Sequence, residues 1–315
     1  MKTYLISGGA GFIGSNLTAR LLADPDNKVV VLDNLITGFE KNIEEFKSNP
    51  NYTFIKHDII TPIELEDKFD YILNLACPAS PVGYRKNPIK TLEVSSIGTK
   101  NMLEIAKRDN ARFFHTSTSE VYGDPLEHPQ TELYWGHVNS YGERSCYDEA
   151  KRYAEALIYY YKKDFGVNTG LIRIFNTYGP KMDPFDGRVV TNFIRQALKD
   201  EDITIYGDGK QTRSFCFISD QIEAEIKMIH TDIEGPINVG NPNEFTMLEL
   251  AEKVIKLTGS KSKLIFKPMP KDDPKQRKPD ISLAKEKLGW EPKVQLEEGL
   301  MKTIEWFKTQ GYRTA

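Results

Sequence analysis

Tyr147 and Lys151 stand four residues apart in a segment with helical apolar spacing, so both side chains leave the same face. An ammonium beside a phenol favours the phenolate, as does a positively charged nicotinamide, and both lower the tyrosine toward a pKa useful to a general base. A base of that kind can take the proton of an alcohol while its carbon gives up a hydride. The pair alone is weak, because two exposed neighbours on a helix make the same pattern. It gains force from the company it keeps. Near the N-terminus, Ser7-Gly8-Gly9-Ala10-Gly11-Phe12-Ile13-Gly14 follows an apolar strand pattern and opens a helix. A side chain at Gly8, Gly11 or Gly14 would block the tight turn, the approach of a pyrophosphate to backbone N–H groups, or helix-to-strand packing.

A second strand ends at Asp33, nineteen residues after Gly14. A carboxylate there accepts hydrogen bonds from an adenosine ribose and repels a 2′-phosphate. Asn34 follows where an arginine would suit NADP, so NAD is the expected cofactor. Asp58 ends the third strand, where it can reach an adenine or cap a turn. The cofactor set expected around these positions adds Phe12, Ile13, Thr37, Gly38, Ile59 and Leu75, with Tyr147 and Lys151 at the nicotinamide end.

These residues need a scaffold that gathers strand ends. Short apolar runs at Thr3–Ile6, Lys28–Leu32, Tyr52–Ile55, Tyr71–Leu75, Arg112–Thr116 and Asn168–Ile174 alternate with amphipathic segments, notably Thr91–Lys107 and Glu149–Tyr161. That is the pattern of an α/β fold, a doubly wound parallel sheet of Rossmann type. Ligands in such sheets bind beyond the carboxyl ends of the strands, so Thr116 to Glu120 faces the site and Thr118 can hydrogen-bond the oxygen that Tyr147 deprotonates. From about Asn176 the chain turns to loops rich in Gly and Pro with isolated helices, at Thr246–Leu257 and Leu296–Phe307. The expected division is a cofactor domain over 1–175, with 215–240 returning to it, and a smaller mixed α/β substrate lobe over 176–315. Composition alone reads the polar run Asp272–Asp280 as a solvated loop.

A chain of 315 residues buries roughly three quarters of its unfolded surface and needs no disulfide or metal to hold a core. The net charge of −3 lacks the basic excess that nucleic-acid binding requires. Cys77, Cys146 and Cys216 are few, odd in number and far apart, which argues against a disulfide framework or zinc cluster and fits a reducing cytoplasm. The N-terminus lacks the pattern of a secretory leader, and no window approaches about eighteen apolar residues, so no membrane span is expected.

Many collinear stretches resemble one family across nearly the whole chain. Ala76 to Thr91 (ACPASPVGYRKNPIKT), Thr116 to Pro125 (TSTSEVYGDP), Tyr134 to Lys151 with its YWGHVN and CYDEAKR, then IFNTYGPKM, DGRVVTNFI, GDGKQTRSF and DDPKQRKPDI resemble the UDP-glucuronic acid decarboxylases, also called UDP-xylose synthases, among the extended short-chain dehydrogenase/reductases. Dehydratase relatives carry Thr-Asp-Glu where this chain has Thr118-Ser119-Glu120. Their Asp protonates a departing C6 hydroxyl, and serine is a poor donor for that purpose. The resemblance implies a UDP-sugar acid as substrate, oxidised at C4 to a β-keto acid that loses CO2.

It further implies that Glu120 positions the sugar and assists proton movement. Arg213 and Arg277 fall at the diphosphate or sugar end, Asn176 and Arg188 near the phosphates, and Tyr206 with Gln211 around the uridine. Tyr84 is placed against the sugar carboxylate, although the loop reads SPVGY where relatives read SPPNY. A homodimer through the two long helices is implied as well. Three rivals stay open: a UDP-glucuronate 4-epimerase, a decarboxylase that releases the 4-keto pentose with NADH, and an inactive NAD-sensing or scaffold protein of the same fold.

Overall fold

Alternation of buried runs and amphipathic segments winds the first half into β1 (Lys2–Ser7), α1 (Phe12–Leu22), β2 (Asn27–Asp33), β3 (Tyr52–Lys56), β4 (Tyr71–Asn74), α2 (Pro81–Lys86), α3 (Pro88–Glu93), α4 (Thr99–Asp109), β5 (Arg112–Thr118), α5 (Ser145–Phe165) and β6 (Thr169–Ile174). The second half holds β7 (Thr177–Tyr178), α6 (Val189–Ala197), β8 (Ile203–Tyr206), β9 (Thr212–Ser214), β10 (Cys216–Phe217), α7 (Ile218–Ile229), β11 (Ile237–Val239), β12 (Glu244–Thr246), α8 (Met247–Thr258), β13 (Leu264–Lys267), α9 (Ser282–Leu288) and α10 (Leu296–Thr309). This computed structural model describes residues 1–269 and 276–311.

The main sheet runs β11-β6-β5-β4-β1-β2-β3 with every pair parallel. Helices cover both faces, which is why the strands read as nearly unbroken apolar runs; β5 is buried along its whole length. Chain order reverses between β1 and β4, and a crevice opens there beyond the strand ends. The seventh strand, β11, comes from the second half and pairs with β6. Its three residues are too few to show a period. The remaining strands form two-stranded pairs, β7 with β10, β8 with β13 and β9 with β12. One apolar core continues from Val31 through Phe217 to Leu250, so the two halves share their interior.

Two expectations need correction. The segment Thr91–Lys107 is not one regular α-helix. It starts earlier, with Pro88 at its first turn, and α3 and α4 are joined by a π-helical turn over Val94–Gly98. There Gly98 lies so close to Ile59 that a Cβ would stand 2.8 Å from that side chain, and Asn101 Nδ2 donates to the Ile59 carbonyl at 2.8 Å. Leu92 and Ile97, two of the apolar residues in that segment, face solvent. The second correction concerns the polar run Asp272–Asp280. Residues 272–275 lie outside the described residues, but residues 277–280 do not form a solvated loop. Gln130 N donates to the Lys278 carbonyl at 2.9 Å, Asp280 N to the Gln130 carbonyl at 2.8 Å, and Arg277 is only 2% exposed.

Candidate active site

The glycine turn makes a cradle that side chains would fill. Gly8 sits at φ +80°, where a Cβ would approach the backbone of Ala76 to 2.8 Å, and a Cβ on Gly14 would collide with the Gly8 carbonyl. Asp33 closes the second strand buried, with Oδ2 accepting from Ala10 N at 3.0 Å and Oδ1 from Leu35 N at 2.8 Å. Burial raises its pKa, and those two amides oppose the rise. Gly38 leaves the carboxylate room, since a Cβ there would lie 3.0 Å from both oxygens. Asp58 plays the turn-capping part anticipated for it. It accepts from Ile60 N at 3.2 Å as a turn cap, and also from Asn34 Nδ2 at 3.0 Å, with Lys90 Nζ 3.1 Å away. Burial works to raise this carboxyl, but those partners hold it below its ordinary value.

Gly11, Phe12, Ile13, Thr37, Ile59 and Leu75 line the same cavity of about 1000 Å³. A helix N-terminus with no side chain in the way, a buried ribose-type carboxylate and a second carboxylate beyond it fit a dinucleotide. Among the described residues no group of His, Cys, Asp and Glu could hold a metal ion.

At the far side of this cavity stand Tyr147 and Lys151, both on α5 and both buried. Lys151 Nζ donates to the Thr116 carbonyl at 2.8 Å. Burial lowers its pKa and, first among several causes, raises that of Tyr147 well above its ordinary value; Cys77 adds to the rise. The hydrogen bond that opposes this comes from Thr118, at the end of β5. The protein's own groups therefore position the phenol without lowering it.

Beyond Thr118 the chain turns at Ser119 and Glu120, and here distant segments converge. Arg277 Nη1 donates to Ser119 Oγ at 3.1 Å and to Glu120 Oε1 at 2.6 Å, while Nη2 donates to the Gly123 carbonyl at 2.6 Å. Arg144 Nη2 grips Glu120 Oε2, and Nη1 donates to the Tyr84 hydroxyl at 3.2 Å. Burial by itself would raise the pKa of Glu120. Arg277 and Arg144, with Arg213 behind them, overcome it and hold the carboxyl at about 2. Tyr84 lies buried beside it, its own hydroxyl pushed up to about 12 by burial.

The other expected contacts line the same cavity. Asn176 is there with its Nδ2 buried and without a partner, as a group waiting on a ligand would be. Arg188 Nη2 donates to the Ala79 carbonyl at 3.1 Å. Tyr206, Gln211 and Arg213 come from β8, β9 and the turn between them; Gln211 Nε2 donates to the Tyr206 carbonyl at 2.7 Å and Arg213 Nη1 to the Thr212 carbonyl at 2.8 Å. The cleft thus brings every expected residue to one wall or another. Sequence reasoning missed Arg144 and Lys90. Arg144 is one helical turn before Tyr147, but it precedes the helix and no periodicity points to it.

Comparison with known proteins adds the chemistry of relatives. A family model described as GDP-mannose 4,6 dehydratase matches residues 5–303. UDP-glucuronic acid decarboxylase 4 of Arabidopsis thaliana is 54% identical over 304 residues, 96% of this chain and 68% of that protein. UDP-glucuronic acid decarboxylase 1 of Danio rerio is 51% identical over 309 residues, 98% of this chain and 73% of that protein. Among solved structures, the UDP-glucuronic acid 4-epimerase of Bacillus cereus in complex with UDP-glucuronic acid and NAD superposes with a TM-score of 0.89 at 29% identity, covering 98% of this chain and 99% of that one.

Proposed function

The chain belongs to the UDP-glucuronic acid decarboxylase family, and from that premise we propose that it converts UDP-glucuronic acid to UDP-xylose and CO2 through a 4-keto sugar, with NAD restored in each cycle. The observation that carries the reading is Ser119 held by the buried guanidinium of Arg277. A dehydratase needs a proton donor at that position, whereas a sugar acid brings a carboxylate and has no C6 hydroxyl to expel.

Gly8, Gly11 and Gly14 would admit the pyrophosphate of NAD, Asp33 its ribose and Asp58 its adenine end. NAD supplies the acceptance of a hydride from C4 and its return. Tyr147, oriented by Thr118 and ionised by the positive charges of Lys151 and of the bound nicotinamide, would take the O4 proton. With C4 a ketone, the C5–C6 bond breaks and its electron pair moves into the carbonyl. Tyr147 as a phenol and the Thr118 hydroxyl stabilise the resulting oxyanion. A proton then joins C5, and Tyr147 returns its own proton to O4. One proton from solvent is consumed for each CO2 released.

In this reading residues 1–175 with 215–240 serve the cofactor, and 176–315 serve the UDP-sugar. The test is the product: UDP-glucuronic acid with substoichiometric NAD should yield UDP-xylose and CO2 with no NADH accumulating. UDP-galacturonic acid with its carboxylate intact would make the protein a 4-epimerase, and NADH rising in step with a 4-keto pentose would make it an oxidative decarboxylase.

The reading extends to a homodimer. Ile89, Ile97, Tyr153 and Tyr160 are exposed on the α3–α4 segment and on α5, which pack side by side, and such a two-helix face suits a four-helix bundle with a second copy. Light scattering at the mass of one chain would reject it. No helix among the described residues is long and apolar enough to cross a membrane. Three free cysteines suit a reducing cytoplasm, which cell fractionation checks.

A further inference from the structure

Arg144 uses three faces of its guanidinium on three groups. Nη2 holds Glu120, Nη1 holds the Tyr84 hydroxyl, and Nε lies 3.6 Å from Asp148 Oδ2. Its backbone carbonyl also accepts from Tyr147 N at 2.9 Å and Asp148 N at 3.0 Å, so it begins the helix that carries the base. Asp148 is buried, and its Oδ1 has no partner. A carboxylate placed there with half its oxygens unsatisfied is costly, and the guanidinium of Arg144 is the group in reach that explains it.

We propose that Arg144, anchored by Asp148, is a positioning residue for the decarboxylation: it ties the stacked rings of Tyr84 and Tyr147, 5.3 Å apart, to Glu120 and fixes the second oxygen of Glu120 at the sugar end of the cleft. Arg277 holds Glu120 from the other side but is itself committed to Ser119 and Gly123, so it orients one oxygen only. The groups that face Glu120 are Arg277, Arg144 and Arg213 on the cationic side, and Asp148, Tyr84 and Tyr147 on the other. Those that face Asp148 are Arg144, Arg277, Glu120 and Glu149. Burial first, and Glu120 second, push the Asp148 carboxyl up to about 7, so its grip on Arg144 strengthens as pH rises through neutrality.

The inference rests on the decarboxylase reading, and the experiment separates the two. Arg144→Met, Arg144→Lys and Asp148→Asn are compared with the wild-type protein for UDP-glucuronic acid turnover against pH and for NAD affinity. Carboxyl-¹³C titration reads Glu120 directly, whether or not the wild type turns over. In Arg144→Met, Glu120 should titrate higher than in the wild type, with Arg277 still holding it below the ordinary carboxyl range. The acid limb of kcat should move up with it, kcat should fall at least about tenfold, and NAD affinity should stay within about twofold. Arg144→Lys should restore part of the pH profile, since a single cation can face Glu120 but cannot bridge Tyr84. Asp148→Asn should remove an inflection near neutral pH. An unchanged Glu120 titration in Arg144→Met overturns the proposal, as does a loss of kcat matched by an equal loss of NAD affinity. A wild type that releases no CO2 sinks the decarboxylase reading alone.

Discussion

The ring of Tyr84 lies flat against that of Tyr147, with centroids 5.3 Å apart and planes within 9° of each other. Tyr84 comes from α2 and Tyr147 from α5, so the stack braces the base against the wall of the sugar pocket. Removing the ring by Tyr84→Ala should cost about 3 kcal/mol of stability and lower kcat at least about a hundredfold, because the phenol loses its orientation. Tyr84→Phe keeps the stack and should stay within about 1.5 kcal/mol in denaturant unfolding. Equal kcat in both variants would show that the ring does not orient the base.

Tyr147→Phe keeps the shape and removes the proton acceptor. Turnover should fall by about two to four orders of magnitude while NAD still binds, as followed by quenching of protein fluorescence. Full turnover in this variant would remove the proposed base.

In the proposed reading Asp33 selects the dinucleotide. Its carboxylate is fixed by the Ala10 and Leu35 amides and has no arginine after it. Asp33→Asn should weaken NAD by about tenfold, roughly 1.4 kcal/mol, and narrow the preference over NADP. Calorimetric titration with both dinucleotides checks this. Gly14→Ala should abolish binding of either one, because its methyl group would drive into the Gly8 carbonyl.

Glu225, on α7, is wholly buried, and its Oε2 has no partner. Burial raises its carboxyl to about 8, and the Gln221 amide, 3.1 Å away, opposes this only in part. The folded chain therefore holds a proton that the unfolded chain releases above about pH 4.3, so this residue's contribution to stability falls as pH climbs from there to about 8. Glu225→Gln removes that dependence. Its melting temperature should match the wild type near pH 4.5 and exceed it increasingly toward pH 8. A constant difference across that range would mean the carboxyl is already ionised in the fold.

Local patterns in the chain carried the strands and the glycine turn, because buried parallel strands are continuous apolar runs and a pyrophosphate turn needs glycines at fixed spacing. Tyr147 and Lys151 were readable for the same reason: four residues on a helix share a face. What depended on distant contacts was not readable. Arg277 sits in a run that composition assigns to solvent, but it bonds Ser119 and Glu120 from 158 and 157 residues away. Only the family resemblance pointed to it. Arg144 owes its role to Tyr84 and Glu120, both remote in sequence, and the π-helical turn packs its Gly98 directly against Ile59, also remote in sequence. Nor could the Tyr147–Lys151 spacing show burial, which raises the phenol in the protein alone and which the cationic nicotinamide would oppose.

The central claim is that a temporary ketone at C4 makes the neighbouring carboxylate detachable and that the hydride taken from C4 is put back. UDP-glucuronic acid deuterated at C4 tests this directly, with the product examined by proton NMR in ordinary water. The deuterium should remain on C4 of UDP-xylose, and the same reaction with unlabelled substrate in heavy water should place deuterium at C5 alone. Decarboxylated product that has lost the C4 label to solvent, or solvent deuterium at C4, would contradict the account.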